Sequence, residues 1–367
     1  MLTQNDYIRY SRQVILPEVG EAGQHRLLAS KVLVIGAGGL GCPVLQYLAA
    51  AGVGTIGVAD SDLVELSNLQ RQVLYDVDDI GKLKAECAIS HLRKRNPGIY
   101  FSAIPERVTA SNAQSIMEKY DVVIDCTDNF VSRYLINDAC VIAGKPLVYG
   151  ALSVFGAQVS VFNYQCNTNQ VGATYRDLFP VTPLPGTVAG CSETGILGAV
   201  AGICGTLMAA ECLKVILGLE GVLSGRLLLI DSKSMKFSEI SLSRDEASWG
   251  NHPSTPEDFK SFDYESSCGL VKSAFPETDA GFFLLDVREP WEEPEIDYPN
   301  QVRISLHELP ERLHELPAEA WLLVVCQNGQ RSKLAIKILE SDPRFTKAQS
   351  VEGGIAGLNQ LLSVHHD

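Results

Sequence analysis

The sequence predicts an α/β chain in two parts, a doubly wound parallel sheet followed by a smaller α/β domain. Three observations carry that expectation. The apolar run Lys31 to Gly36 ends in the turn Gly36-Ala37-Gly38-Gly39-Leu40-Gly41. A helical stretch through Ala51 and a second apolar strand, Thr55 to Asp60, complete a βαβ unit, which implies a parallel sheet covered on both faces. Beyond a polar, loop-like stretch at 243–256, a second strand-and-helix pattern begins. The 367 residues leave room for two domains of ~100–200 residues each.

Further strands are expected at Asp121–Cys126 and Pro146–Ala151, with helices near Lys82–Arg95 and Phe130–Ala143. Gln158–Asn163, Arg226–Asp231 and Phe237–Leu242 read as an antiparallel extension. The most apolar run, Gly195 to Ala210, contains Gly198, Gly202 and Gly205 and meets Glu211 and Lys214. It is shorter than the ~20 residues a bilayer span needs, so a closely packed buried helix is expected. Residues 1–245 form the first domain in this reading, 246–260 a linker and 261–367 the second. In the second, strands fall at Phe282–Val287 and Leu322–Val325, with a helix from Ser332.

Apolar residues make up 46% of the chain and charged ones 20%, a balance that builds a core and does not read as disorder. A net charge of −14 argues against a nucleic acid or an anionic membrane as partner. The start, MLTQNDYIRYSRQ, has no secretory apolar segment, and ten cysteines beside it point to a reducing cytoplasm. None of them is spaced C-x-x-C and no His pair has metal-ligand spacing, so no zinc site is expected.

Gly36, Gly38 and Gly41 satisfy G-x-G-x-x-G, and Asp60 closes the next strand where a ribose-binding acid belongs. The glycines permit a tight turn and let phosphates approach a helix N-terminus. By itself that pattern suggests an NAD-dependent dehydrogenase. Downstream stand Ser67-Asn68-Leu69-Gln70-Arg71-Gln72, then Lys84, then Asp125-Cys126-Thr127-Asp128-Asn129 at the end of a later strand. Hydride transfer has little use for such charges, whereas splitting a nucleoside triphosphate needs them as pyrophosphate departs.

Together with Arg9-Tyr10-Ser11-Arg12-Gln13, these segments resemble the MoeB/ThiF-type sulfur-carrier adenylyltransferases, relatives of the ubiquitin-activating enzymes, over roughly residues 5–245. The resemblance implies a Rossmann-like domain that uses ATP and Mg²⁺. Asp60 would bind the ribose, and Gly36, Gly38, Gly39 and Gly41 would form the turn beneath the phosphates. Asn68, Arg71 and Lys84 would hold the phosphates, with Ser67, Gln72 and Asn129 lining the nucleotide site, and Asp128 would bind the metal. Lys82 competes with Lys84; Asp125 competes with Asp128, which is favoured because it lies past the strand. Arg12 resembles the arginine that reaches into the neighbouring subunit's site, which implies a homodimer. The implied substrate is the C-terminal glycine of a ubiquitin-like (MoaD/ThiS-like) carrier ending in Gly-Gly.

Many relatives bind a structural zinc through two C-x-x-C pairs. Thr174 and Asp177 stand where the first pair would fall, and Arg244–Trp249, where the second would lie, contains no cysteine. The region is therefore expected to be held by packing alone. Cys191, in Val188-Ala189-Gly190-Cys191-Ser192-Glu193-Thr194-Gly195 after a Pro/Gly-rich loop, matches the family cysteine implicated in a covalent or disulfide step. Its place before a helix would favour the thiolate. Cys42, Cys87, Cys126, Cys140, Cys204 and Cys212 fall within expected elements and read as core.

Near the C-terminus, Leu284-Leu285-Asp286-Val287-Arg288-Glu289-Pro290 precedes Trp321-Leu322-Leu323-Val324-Val325-Cys326, then Gln327-Asn328-Gly329-Gln330-Arg331-Ser332. A strand delivers Cys326 into a short loop that winds into a helix, and inward N–H groups there make a nest for a thiolate or persulfide. Val351-Glu352-Gly353-Gly354-Ile355 supplies a final glycine-rich turn. These segments resemble a rhodanese. A cysteine phosphatase would space its loop C-x₅-R, whereas Cys326 to Arg331 is C-x₄-R, a cradle for one sulfur atom. The Gly-His turn usual after the first strand is missing around Ile296–Pro299. The fusion implies that a persulfide on Cys326, filled by a cysteine desulfurase or thiosulfate, attacks the adenylated carrier to give a thiocarboxylate. Molybdopterin, thiamin and tRNA thiolation all remain open as its destination. The reading from another class is a non-catalytic scaffold that binds the carrier.

Overall fold

The computed structural model describes residues 2–164, 172–180, 195–264, 282–318, 320–351, 353–355 and 357–358. The chain divides into two compact units, the first holding Met1–Leu184 with Thr194–Val271 and the second Lys272–Asp367.

The first unit opens with helices α1 (Gln4–Val14) and α2 (Gly20–Ala29). It continues through β1 (Lys31–Ile35), α3 (Gly41–Ala51), β2 (Thr55–Ala59), α4 (Lys84–Arg95), β3 (Tyr100–Ile104), α5 (Ala113–Met117) and β4 (Val122–Asp125). Then come α6 (Phe130–Ala143), β5 (Leu147–Ser153), β6 (Gly156–Phe162), α7 (Tyr175–Leu178), α8 (Gly198–Leu217), β7 (Arg226–Asp231), β8 (Lys236–Ser241) and α9 (Pro256–Ser261). The eight strands form one sheet in the order β3-β2-β1-β4-β5-β6-β7-β8. Strands β1 to β5 pair parallel, while β6, β7 and β8 extend the sheet antiparallel.

Val32, Leu33 and Val34 of β1 are fully buried, as a central strand covered on both faces requires. The chain runs from β1 outward through β2 to β3, then returns to β4 on the other side of β1. That reversal opens a crevice at the carboxyl ends of β1 and β4, where ligands of such sheets bind.

Helix α8 is long and apolar enough to cross a membrane by length and composition alone. Here it packs against α3, β5 and β6. A methyl group at Gly205 would come within 2.4 Å of Pro43 and 2.5 Å of the Leu40 carbonyl oxygen. The glycine therefore lets α8 lie against the start of α3, directly behind the glycine-rich turn.

Two polar clasps hold the rim of the antiparallel part. Buried Asp138 on α6 receives both arms of Arg176 at 2.7 Å each and a hydrogen bond from the Tyr264 hydroxyl at 2.9 Å. The second corrects the expectation of packing alone. Asp177 Oδ2 accepts the Thr174 N–H at 2.7 Å, and Oδ1 accepts the Asp245 N–H at 2.8 Å and the Trp249 indole N–H at 2.6 Å. One carboxylate thus ties together the two segments where the resemblance places the zinc-binding cysteine pairs. The expected linker at 246–260 is also corrected in part: Phe259 on α9 is fully buried in the first unit's core with Tyr264, so apolar burial draws this stretch onto that unit.

The second unit has a four-stranded, all-parallel sheet in the order β10-β9-β11-β12, from β9 (Phe283–Asp286), β10 (Gln301–Arg303), β11 (Leu322–Val325) and β12 (Ala348–Ser350). Helix α10 (Leu309–Arg312) precedes β11 and α11 (Gln330–Glu340) follows it. Leu285, Val287, Ile304, Leu322 and Val324 pack with Ala335 and Leu339 of α11 as its core.

Candidate active sites

The first site is built on the turn after β1. Gly36 has φ of +94°, and a methyl group there would lie 2.8 Å from the Cys126 carbonyl oxygen. One at Gly41 would lie 2.1 Å from the Gly36 carbonyl oxygen, so the turn closes only with hydrogen at both positions. Above Gly38 there is room: its nearest neighbour would be the Gln72 amide at 3.7 Å. Gly39 faces Ala201 and the stem of Arg71. A turn closed beneath and open above fits an approaching phosphate chain.

Asp60 follows β2 and is half-buried. It accepts N–H bonds from Ala37 at 2.7 Å and from Asp62 at 2.8 Å. Burial pushes its carboxyl up from the ordinary value, opposed by the Ala37 N–H and the nearby Lys84 ammonium. Lys84, the first residue of α4, is buried and reaches Asp62 at 3.0 Å, whereas Lys82 is exposed. Tyr75 braces the same place, its hydroxyl donating to the Ala37 carbonyl at 2.7 Å and lying 3.3 Å from that of Lys84. Neither Asp62 nor Tyr75 belongs to a segment singled out by motif.

A 3₁₀ turn at Leu66–Asn68 presents the next group. Asn68 is buried and accepts the Glu65 N–H at 3.2 Å, and exposed Ser67 donates to the Glu65 carboxylate at 3.1 Å. Half-buried Arg71 donates to the Ser67 carbonyl at 3.0 Å. The buried Gln72 Oε1 has no hydrogen-bond partner among the described residues, a vacancy suited to a donor on a bound molecule.

Past β4, the two competing aspartates separate cleanly. Asp125 is buried, and its Oδ1 accepts from Thr127 twice, from the N–H at 2.9 Å and the hydroxyl at 2.6 Å. Burial raises its carboxyl pKa, with Arg133 acting against that rise. Asp128 is exposed and makes no hydrogen bond or ion pair among the described residues. Asn129 caps α6 by accepting the Ser132 N–H at 2.9 Å, so its side-chain oxygen already has a structural partner. Arg12 is exposed on α1, while its neighbours anchor the helix: buried Tyr10 accepts from Asn96 at 2.8 Å, and Gln13 donates to the Ala51 carbonyl at 3.0 Å. Arg12 itself makes no hydrogen bond or ion pair among the described residues. Cys191 lies outside the described residues. The six cysteines expected in the core are all buried.

The second site lies where β11 ends. Cys326 is fully buried, and its Sγ accepts the Ser332 N–H at 3.3 Å, one inward-pointing donor of the expected nest. The Ser332 hydroxyl stands 3.6 Å from Sγ and 2.7 Å from that of Ser350. Gly354, φ +61°, lets the final turn rest against the loop; a methyl group there would come within 2.3 Å of the Cys326 carbonyl oxygen. Arg288 is wholly buried, holds Asp286 through Nε at 2.9 Å and a terminal nitrogen at 2.8 Å, and approaches the Gln327 side-chain oxygen at 3.3 Å. Arg331 points to Glu292, with bonds of 2.6 and 2.5 Å. The spacing of C-x₄-R gives no sign of that carboxylate.

The ThiF family profile matches residues 10–250. The probable adenylyltransferase/sulfurtransferase MoeZ of Mycobacterium tuberculosis is 39% identical over 373 residues, covering 96% of this chain and 93% of its own. A sulfur carrier protein adenylyltransferase of Thermus thermophilus is 48% identical over 270 residues, covering 73% of this chain and 98% of its own. Among solved structures, Escherichia coli MccB with ATP superposes with a TM-score of 0.54 at 26% identity, covering 66% of this chain and 74% of that one.

Proposed function

Because this chain belongs to the ThiF family, we propose that its first unit adenylates the C-terminal glycine of a ubiquitin-like sulfur carrier and its second delivers sulfur to the activated carboxyl. The observation that carries the reading is the set of groups around the open glycine turn: half-buried Asp60, buried Lys84 and exposed Asp128, at the carboxyl ends of β2 and β4 and the start of α4.

A carboxylate is a poor acylating agent because it lacks a leaving group. Its oxygen attacks the α-phosphorus of ATP, a new P–O bond forms, the bridge to the β-phosphorus breaks, and pyrophosphate leaves. Arg71 and Lys84 would offset the charge that gathers on pyrophosphate. Asp60 would accept hydrogen bonds from the ribose, and exposed Asp128, which has no partner among the described residues, would hold Mg²⁺. A persulfide on Cys326 then attacks the acyl carbon and AMP departs. A thiol, for which Cys191 is the candidate, breaks the resulting disulfide and releases the thiocarboxylate. The working assembly is a cytoplasmic homodimer, a reading supported by exposed Tyr7, Ile8, Ile15 and Leu16 flanking Arg12.

The test is ATP–pyrophosphate exchange against a panel of purified ubiquitin-like carriers. Wild-type protein should exchange label with one of them, and Asp128→Ala should not, while its melting temperature stays put because the residue is exposed. Binding of NAD(H) with no exchange on any carrier would overturn the assignment.

A further inference from the structure

The charges around Cys326 bear on which donor fills it. Arg331, the arginine of the C-x₄-R loop, is engaged by both oxygens of Glu292, and Glu292 Oε2 also accepts the Glu289 N–H at 2.8 Å. Side chains in this pair are only about one-fifth exposed, at 21% and 22%, so solvent screens it weakly. The neighbouring guanidiniums also face carboxylates, Arg288 more closely than Arg303, whose buried Nε has no hydrogen-bond partner among the described residues. Arg288 is closed on Asp286, and Arg303 stands 3.6 Å from Asp286 and donates to the Glu292 carbonyl at 2.8 Å. Asp286, Glu289 and Glu292 thus match Arg288, Arg303 and Arg331 in number, and half-buried Lys333 follows on the first turn of α11.

We propose that Glu292 is a specificity-determining residue of the sulfur-accepting site: by neutralising Arg331 it selects a persulfide carried on a donor protein over the small dianion thiosulfate. The inference rests on the reading of Cys326 as the sulfur acceptor. In either reaction the Cys326 thiolate attacks the donor's outer sulfur and a new S–S bond forms. From thiosulfate, the bond between the two sulfur atoms breaks and sulfite leaves with two negative charges. From a protein persulfide, the donor's S–S bond breaks and a cysteine thiolate leaves with one. A small dianion must find its affinity in the charges of the loop itself, where a carboxylate beside its path is repulsive. A donor protein draws affinity from a whole docking surface and needs no free cation at the loop. Glu292 stays ionised at neutral pH. Burial works to raise its carboxyl, but the Arg331 hydrogen bonds and the Glu289 N–H outweigh it and hold it below the ordinary value.

The experiment uses the full chain and follows sulfur on the Cys326 peptide by mass spectrometry, with thiosulfate or a persulfide-loaded cysteine desulfurase as donor. Wild type should load faster from the desulfurase. Glu292→Gln keeps a hydrogen-bond acceptor for Arg331 and removes the charge. It should raise the ratio of thiosulfate to desulfurase loading about tenfold, the size of one charge contact near a surface. The gain should lie in KM rather than kcat and should fade as salt is added, and Glu292→Asp should restore the wild-type ratio. Loading from both donors falling together in Glu292→Gln would mean that the carboxylate only holds the loop in shape, and would overturn the proposal. So would a wild-type preference for thiosulfate. No sulfur on Cys326 from either donor would overturn the sulfur-acceptor reading itself, and the proposal with it.

Discussion

Lys84 and Lys82 are two residues apart, yet only Lys84 has its ammonium turned inward, beside Asp60 and Asp62. Lys84→Ala should slow carrier-dependent pyrophosphate exchange by about 10²-fold or more, as loss of a group that stabilises developing charge does elsewhere. Lys82→Ala should leave the exchange unchanged, and a side-by-side assay of the two variants separates them. The cysteines divide just as sharply. Burial pushes the Cys42 and Cys204 thiols up to about 12 and raises those of Cys126, Cys140 and Cys212 as well. The thiolate is the reactive form, so iodoacetamide at pH 8 should spare these five in native protein, and peptide mapping after brief treatment reads this directly. The glycine turn and Asp60 were legible because their meaning is local, set by spacing along one βαβ unit. Asp62, Tyr75 and Glu292 were not: Tyr75 meets Ala37 from 38 residues away, and Glu292 meets Arg331 from 39. No short motif records such a meeting.

At the scale of elements, helix α8 was legible as core because its glycines recur on an apolar run that meets Glu211 and Lys214; its length was not, since the helix runs Gly198–Leu217, long enough for a span. The structure gives Gly205 its reason, since the first turn of α3 leaves no space for a side chain. Gly205→Val should force α8 away from Pro43 and Leu40 and cost ~1–3 kcal/mol, read as a lower urea midpoint. Because α3 carries the glycine turn on its N-terminus, the same variant should also weaken ATP binding, which nucleotide titration of the folded protein measures. Strand β3 escaped notice because Tyr100 is exposed and Ser102 polar, so no apolar run marks it; β10 and β12 are three residues each, too short for periodicity to show. The Asp138–Arg176–Tyr264 cluster likewise joins residues far apart in sequence. Asp138→Ala would leave Arg176 buried without its carboxylate and should cost ~3–5 kcal/mol, whereas Tyr264→Phe removes the hydrogen bond to Asp138 and should cost ~1 kcal/mol. Chemical denaturation of both variants tests the difference.

For the whole molecule, the division into two units was legible in the repeat of the strand-then-helix pattern, but its position was not. The stretch at 246–260 is polar enough to pass for a linker, and Phe259 and Trp249, which pin it to the first unit, carry no periodic signal. Each unit holds one of the two sites. Cys326→Ser should therefore abolish sulfur loading and leave pyrophosphate exchange intact, while Lys84→Ala should do the reverse, both measured on the same full-length preparations. The carboxylate of Asp177 joins 174–177 to 245–249 with hydrogen bonds the chain supplies for itself. Were that corner knit by a metal instead, folding would depend on an ion being delivered, and a chelator could undo it. This chain carries the stitch in its own sequence, so its folding should be indifferent to metal supply. Expression in zinc-starved medium should give the same yield of folded protein, and EDTA should not move its melting temperature. Asp177→Ala should lower that temperature, and added zinc should not restore it.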